Sequence, residues 1–170
     1  MPNHGFKHLT IDNWLNQDEA LSAFVKLLPN GEIVQKVKSD WAQPFFEPTL
    51  SQFVPDEVQR LFEVARGAIV YGYFFYPLYT LGCEQLFRVA ETAINFKFER
   101  ISSVKKKNFE YKINFLCENG HMTSEEKDYW HNIRQMRNQV SHPKSQMILM
   151  PKFVVEILAN IVIKIDCLFK

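Results

Sequence analysis

The chain has 170 residues with a formal net charge of +1; it is 46% hydrophobic and 14% aromatic. That composition excludes a mostly disordered chain and, by length, points to one domain with a substantial core. The charge excludes a globally basic nucleic-acid binder, so any polyanion site has to be a local patch.

Residues 1–54 read differently from the rest. A short helix is expected from Gln17 to Leu28, with Leu21, Phe24, Val25 and Leu28 on one face, ended by Pro29-Asn30-Gly31. From there to Pro55 the spacing predicts an irregular, partly helical arm. Trp14, Trp41, Phe45 and Phe46 give it apolar surface with which to pack on the remainder. His4 and His8 are spaced i,i+4, but no Cys or acid completes a ligand pattern, so no metal is expected.

The main body begins at Pro55-Asp56-Glu57, a favourable first helical turn. Val58, Leu61, Phe62, Ala65 and Ile69 follow at helical spacing. Gly67 to Cys83 carries no formal charge and is shorter than the ~20 apolar residues of a membrane span. With Gly72, Pro77 and four tyrosines inside it, it reads as a buried helix pair broken near Pro77, or as a subunit interface. Pro77 then opens a long helix to about Ile101. Leu86, Phe87, Ala90, Ala93, Ile94 and Phe98 share one side; Glu84, Arg88, Glu91, Asn95 and Glu99 share the other.

Lys105-Lys106-Lys107 marks a break, either a solvated loop or a contact for an RNA backbone. A helix is expected from Phe109 to Glu118, closed by a left-handed cap at Asn119-Gly120. Thr123 and Glu126 form a capping box that starts the next helix, which Pro143 stops. A last helix runs from about Pro151 to Phe169, apolar on more than one face. No segment alternates convincingly with period two. The expected class is all-α, a bundle of four or five helices with an N-terminal extension over 1–54 and the helical domain over 55–170.

Chemistry concentrates at Arg137-Asn138-Gln139-Val140-Ser141-His142-Pro143. On a wheel of ~100° per residue, Tyr129, Trp130, Ile133, Met136 and Val140 form the apolar stripe. Lys127, His131, Arg134, Asn138 and His142 form the neighbouring polar strip. Arg137 falls on the border, where a partly desolvated guanidinium calls for an acid or a phosphate. His142 sits in the last turn, where the helix dipole favours imidazolium and proton exchange near neutral pH is accessible. Asn138 lies one turn before it and can orient the ring. These groups suit cleavage of RNA by its own 2′-hydroxyl, without a metal or cofactor. One chain supplies one such histidine; two chains across a two-fold axis supply two.

The run Arg137-Asn138-x-x-x-His142-Pro143 resembles the R-N-x-x-x-H-P signature of HEPN domains, small all-helical modules of which many cut RNA. The Phe109–Pro143 run and the long helix with Glu84-Gln85-Leu86-Phe87 are similar to the family's preceding helices, so the resemblance covers roughly 55–170. It implies a homodimeric endoribonuclease with Arg137, Asn138 and His142 as catalytic residues. His131, Arg134, Ser141 and Glu84 are candidate substrate-binding residues. Glu84 could reach Arg137 across the bundle or pair at i,i+4 with Arg88. The implied settings are a toxin–antitoxin pair or an antiviral defence system, with an antitoxin or defence partner. The alternative is a non-catalytic module that binds a nucleotide, RNA or a protein. One toxin branch carries a tyrosine two residues after the histidine; Lys144 stands there instead. Cys83, Cys117 and Cys167 are unclustered, and the N-terminus lacks the layout of a signal peptide, so a reducing, cytoplasmic setting is expected.

Overall fold

The computed structural model describes residues 6–141 and 149–170, without the side chains of Val140 and Ser141. Six helices dominate them: α1 Lys38–Phe46, α2 Asp56–Tyr71, α3 Leu78–Ile101, α4 Phe109–Glu118, α5 Ser124–Ser141 and α6 Pro151–Phe169. The class is mainly α, as the helical periodicity from Pro55 onward predicts. Among the described residues no helix is long and apolar enough to cross a membrane.

The helix expected over Gln17–Leu28 is absent. In its place stand a short 3-10 turn, Glu19–Ala23, and the strand β1 (Val25–Leu27), which pairs antiparallel with β2 (Ile33–Gln35). The reason lies in Pro29-Asn30-Gly31. Gly31 has φ of 84°, its N–H donates to the Leu28 carbonyl at 2.9 Å, and Leu28 N–H donates to the Glu32 carbonyl at 2.8 Å. That is a three-residue hairpin loop with the left-handed residue last, supplied by glycine. β-branched residues on both arms outweigh the apolar spacing of a helix. This hairpin is the only sheet among the described residues.

The N-terminal segment is fastened to the bundle by specific bonds. Asp18 is buried; its carboxylate accepts from Tyr76 N–H at 2.7 Å and from Ala20 N–H at 3.0 Å. Ser51 N–H donates to Asp166 on α6 at 2.9 Å. Trp41 and Phe45, one turn apart on α1, enter the main core. Trp14 and Phe46, expected to pack with them, stay half-exposed; Arg66 lies over the Phe46 ring.

α3 is the hub, packing on α2, α4, α5 and α6. All six apolar residues expected on its inner face are buried, joined by Tyr79, Gly82, Cys83 and Val89. The closest approach is to α2. A Cβ on Gly82 would stand 2.3 Å from Ile69 Cγ1 and 3.1 Å from the Ala65 carbonyl oxygen, so only glycine fits that crossing. Burial here pushes the Cys83 thiol up to about 12, which leaves it unreactive.

Local signals set the helix ends. At the end of α4, His121 N–H reaches the Leu116 carbonyl at 2.8 Å and Gly120 N–H the Cys117 carbonyl at 3.0 Å, with Gly120 at φ 76°. That is a Schellman cap. Thr123 and Glu126 exchange both capping-box bonds, at 2.8 and 3.2 Å. α4 therefore stops, and α5 starts, where the sequence says.

Candidate functional site

α5 carries the residues of interest and lies against both α3 and α4. Trp130 and Ile133 anchor it in the core, while Met136, placed on the same stripe, is more than a third exposed. The apolar stripe thus runs out toward the helix C-terminus and gives way to polar side chains.

Arg137 meets an acid, as its border position requires. Its Nη2 lies 3.1 Å from Glu91 Oε2 on α3, and its Nη1 donates to Asn138 Oδ1 at 3.2 Å. Both members of the ion pair are partly open to solvent, with side chains 38% and 25% exposed. Glu91, rather than Glu84, is the acid found in contact. Glu91 lies two turns beyond Glu84 on the same face of α3, because seven residues complete nearly two helical turns. Thr80, one turn before Glu84, shares that stripe, and its hydroxyl accepts from Leu149 N–H at 3.2 Å. The chain described up to Ser141 and again from Leu149 therefore meets one stripe of α3 at both ends. Glu84 lies between the two contacts, half-buried. His142 and Pro143 lie outside the described residues, as does the side chain of Ser141.

His131 and Arg134 face α4. His131 Nε2 is 3.2 Å from Asn114 Oδ1, and Arg134 Nη1 is 3.5 Å from Glu110 Oε2. His131 Nδ1 and Arg134 Nε are buried and find no partner among the described residues. The His131 pKa is held below the ordinary imidazole value, first by burial, then by the charges of Arg134 and Lys127; Glu110 and Asp128 oppose them. Burial and the two neighbouring cations thus disfavour the imidazolium form. Asn138, in contrast, is exposed at the helix end.

The site is thus two layers deep. The inner layer ties α5 to α4 through His131 and Arg134. The outer layer presents Arg137 and Asn138 next to the Glu84–Glu91 stripe. Sequence reasoning places Arg137 on the border but misses Glu91 as its partner. The signal was available in the shared stripe of Glu84 and Glu91. Nothing in sequence spacing points to Asn114 or Glu110, because which helix faces the polar strip is decided by packing.

Among the described residues no three of His, Cys, Asp and Glu converge as metal ligands. No family model, no curated protein and no solved structure matches the chain.

Proposed function

We propose that the protein is a HEPN-like endoribonuclease that works without a metal as a homodimer, in a toxin–antitoxin or antiviral defence setting in the cytoplasm. The observation that carries this reading is Arg137, partly exposed, braced by Glu91 and bonded to Asn138 in the last turns of α5. A braced guanidinium is oriented before substrate arrives, which is what stabilising a pentavalent phosphate needs. His142 follows one turn after Asn138 in the sequence. The 2′-oxygen attacks phosphorus while its proton passes to a base; the bond to the 5′-oxygen breaks and that oxygen takes a proton. One histidine from each chain fills the two proton-transfer roles. The products are a 2′,3′-cyclic phosphate and a 5′-hydroxyl.

The dimer is supported by apolar surface that one bundle leaves uncovered. Tyr71 and Leu81, from the stretch read as a possible subunit interface, and Phe153 and Ile163 on α6 are about half-exposed or more.

The test is cleavage of single-stranded RNA in excess chelator, wild type against His142→Ala, with both proteins shown folded by circular dichroism. Wild type cuts RNA and spares DNA, which lacks the 2′-hydroxyl. His142→Ala abolishes cutting, and Arg137→Ala lowers it by roughly 100-fold or more. Equal cutting by wild type and His142→Ala removes His142 from the mechanism. A second reading has its own observation: an Arg137 engaged by a carboxylate also suits a non-catalytic module binding a nucleotide, RNA or a protein. Absence of cutting on any varied RNA selects that reading.

A further inference from the structure

The turn from α3 to α4 concentrates positive charge in a chain that has almost none to spare. Beside it opens a cleft of about 480 Å³, within the size range of small-ligand sites, roughly 300–1,000 Å³. Ser102, Ser103, Lys105 and Lys106 line it from the turn, Lys112 from α4 and Glu99 from α3. Three lysines and one glutamate are thus among its lining residues.

The turn has a defined shape. Ser102 Oγ accepts from Val104 N–H at 3.1 Å, and Lys106 has a φ of 56°. That left-handed conformation ordinarily selects glycine, asparagine or aspartate. Lys112 is steadied by Asn95 Oδ1 at 2.8 Å and lies over the Phe98 ring. An aromatic face adjoins the charge: Lys107 Nζ is 4.7 Å from the centre of the Tyr111 ring, which is 38% exposed and stacks on Phe115.

The position matters as much as the composition. Glu110, at the start of α4, contacts Arg134, and Arg134 lies one turn before Arg137. The lysine turn and the Arg137 site therefore share one end of the α4–α5 pair.

We infer that this cleft is a phosphate-binding subsite for single-stranded RNA, in which Lys105, Lys106 and Lys112 neutralise backbone phosphates. Cationic grooves that track the backbone bind single strands in this way. The inference rests on the RNA reading above for the identity of the polyanion, and not on cleavage.

The experiment is fluorescence anisotropy with a labelled 12-nucleotide single-stranded RNA, in chelator, over a series of KCl concentrations. All proteins carry His142→Ala so that nothing is cut. Each phosphate neutralised on a single strand contributes about −0.7 to the slope of log affinity against log salt. Lys105→Ala combined with Lys106→Gly removes two charges, and the glycine keeps the left-handed backbone. That double variant is expected to bind about tenfold more weakly and to reduce the slope by about 1.4. Unchanged affinity and slope in the double variant overturn the subsite, as does a parent protein that binds no RNA. Competition by a poly-glutamate peptide as effective as by RNA overturns the nucleic-acid assignment. If the lysine variant loses binding while the wild type cuts no RNA, the subsite stands and the catalytic reading falls. If the wild type cuts RNA and the lysine variant binds unchanged, the reverse holds.

Discussion

Two contacts of the same bundle are made from opposite materials. Where α3 meets α2, the surface is apolar and so close that Gly82 has no room for a Cβ, with Ile69 and the Ala65 carbonyl against it. Where α5 meets α3 and α4, the apolar stripe ends at Ile133, and contact passes to Arg134–Glu110, His131–Asn114 and Arg137–Glu91. The first contact derives its strength from shape and burial. The second holds charged and titratable groups in place at modest energetic gain, since partly exposed ion pairs contribute about 0–1 kcal/mol. The tight apolar contact and the residues proposed for chemistry thus lie on different sides of α3.

The sharpest way to break this contrast is at the glycine crossing. Gly82→Ala gains up to about 1 kcal/mol of helix propensity, but its methyl group collides with packed atoms. Overpacking of this kind costs about 1–3 kcal/mol, so the net effect is a loss. Gly67→Ala, in α2, is the internal control: nothing lies within 4 Å of its added Cβ. That variant gains stability, by up to about 1 kcal/mol. Urea midpoints of the two variants should move in opposite directions. Equal gains would show that the crossing relaxes freely and is not tight.

A smaller effect on stability, with a larger one on function, is expected at Glu91→Gln. The pair with Arg137 is partly solvated, so the denaturation midpoint shifts by no more than about 1 kcal/mol. Cutting falls roughly tenfold, because the guanidinium loses the carboxylate that orients it. A loss of several kcal/mol would place Arg137–Glu91 in the structural contact and out of the chemical one. Unchanged cutting with unchanged stability would separate Glu91 from the site altogether.

The two contacts also differ in how far the sequence discloses them. Helical spacing in α2 and α3 finds Phe62, Ala65, Ile69, Leu86, Ala90 and Ile94, and every one is buried. Capping chemistry fixes the ends of α4 and α5, since Asn119-Gly120 and Thr123–Glu126 act within a few residues of themselves. The hairpin escapes a reading by spacing because the apolar residues in Leu21–Leu28 fit a helical face as well as a turn and a short strand. Pro29-Asn30-Gly31 held the deciding turn chemistry. At the polar contact, the sequence locates Arg137 on a border but does not name Glu91, Glu110 or Asn114. Those partners depend on which helix crosses α5, a tertiary fact with no local signature.

The smallest expected effect is the pH response of His131, and it tests whether the polar contact holds a neutral imidazole. Burial first, then Arg134 and Lys127, depress its folded pKa below the ordinary value near 6.5, with Glu110 and Asp128 opposing. The folded state therefore takes up a proton less readily than the unfolded chain. Above the ordinary imidazole range both states are neutral at this residue, and its contribution does not vary with pH. As pH falls through that range the unfolded chain protonates first, so stability is lost until the depressed folded pKa is passed. His131→Gln preserves a donor toward Asn114 and cannot titrate. The comparison is urea midpoints of wild type and His131→Gln at pH 7.5, 6.5 and 5.5. The other histidines are common to both proteins and cancel in the difference. Wild type is expected to lose ground to the variant as pH falls. If wild type gains ground instead, the fold stabilises imidazolium at His131, and the α4–α5 contact holds a charge and not a neutral ring.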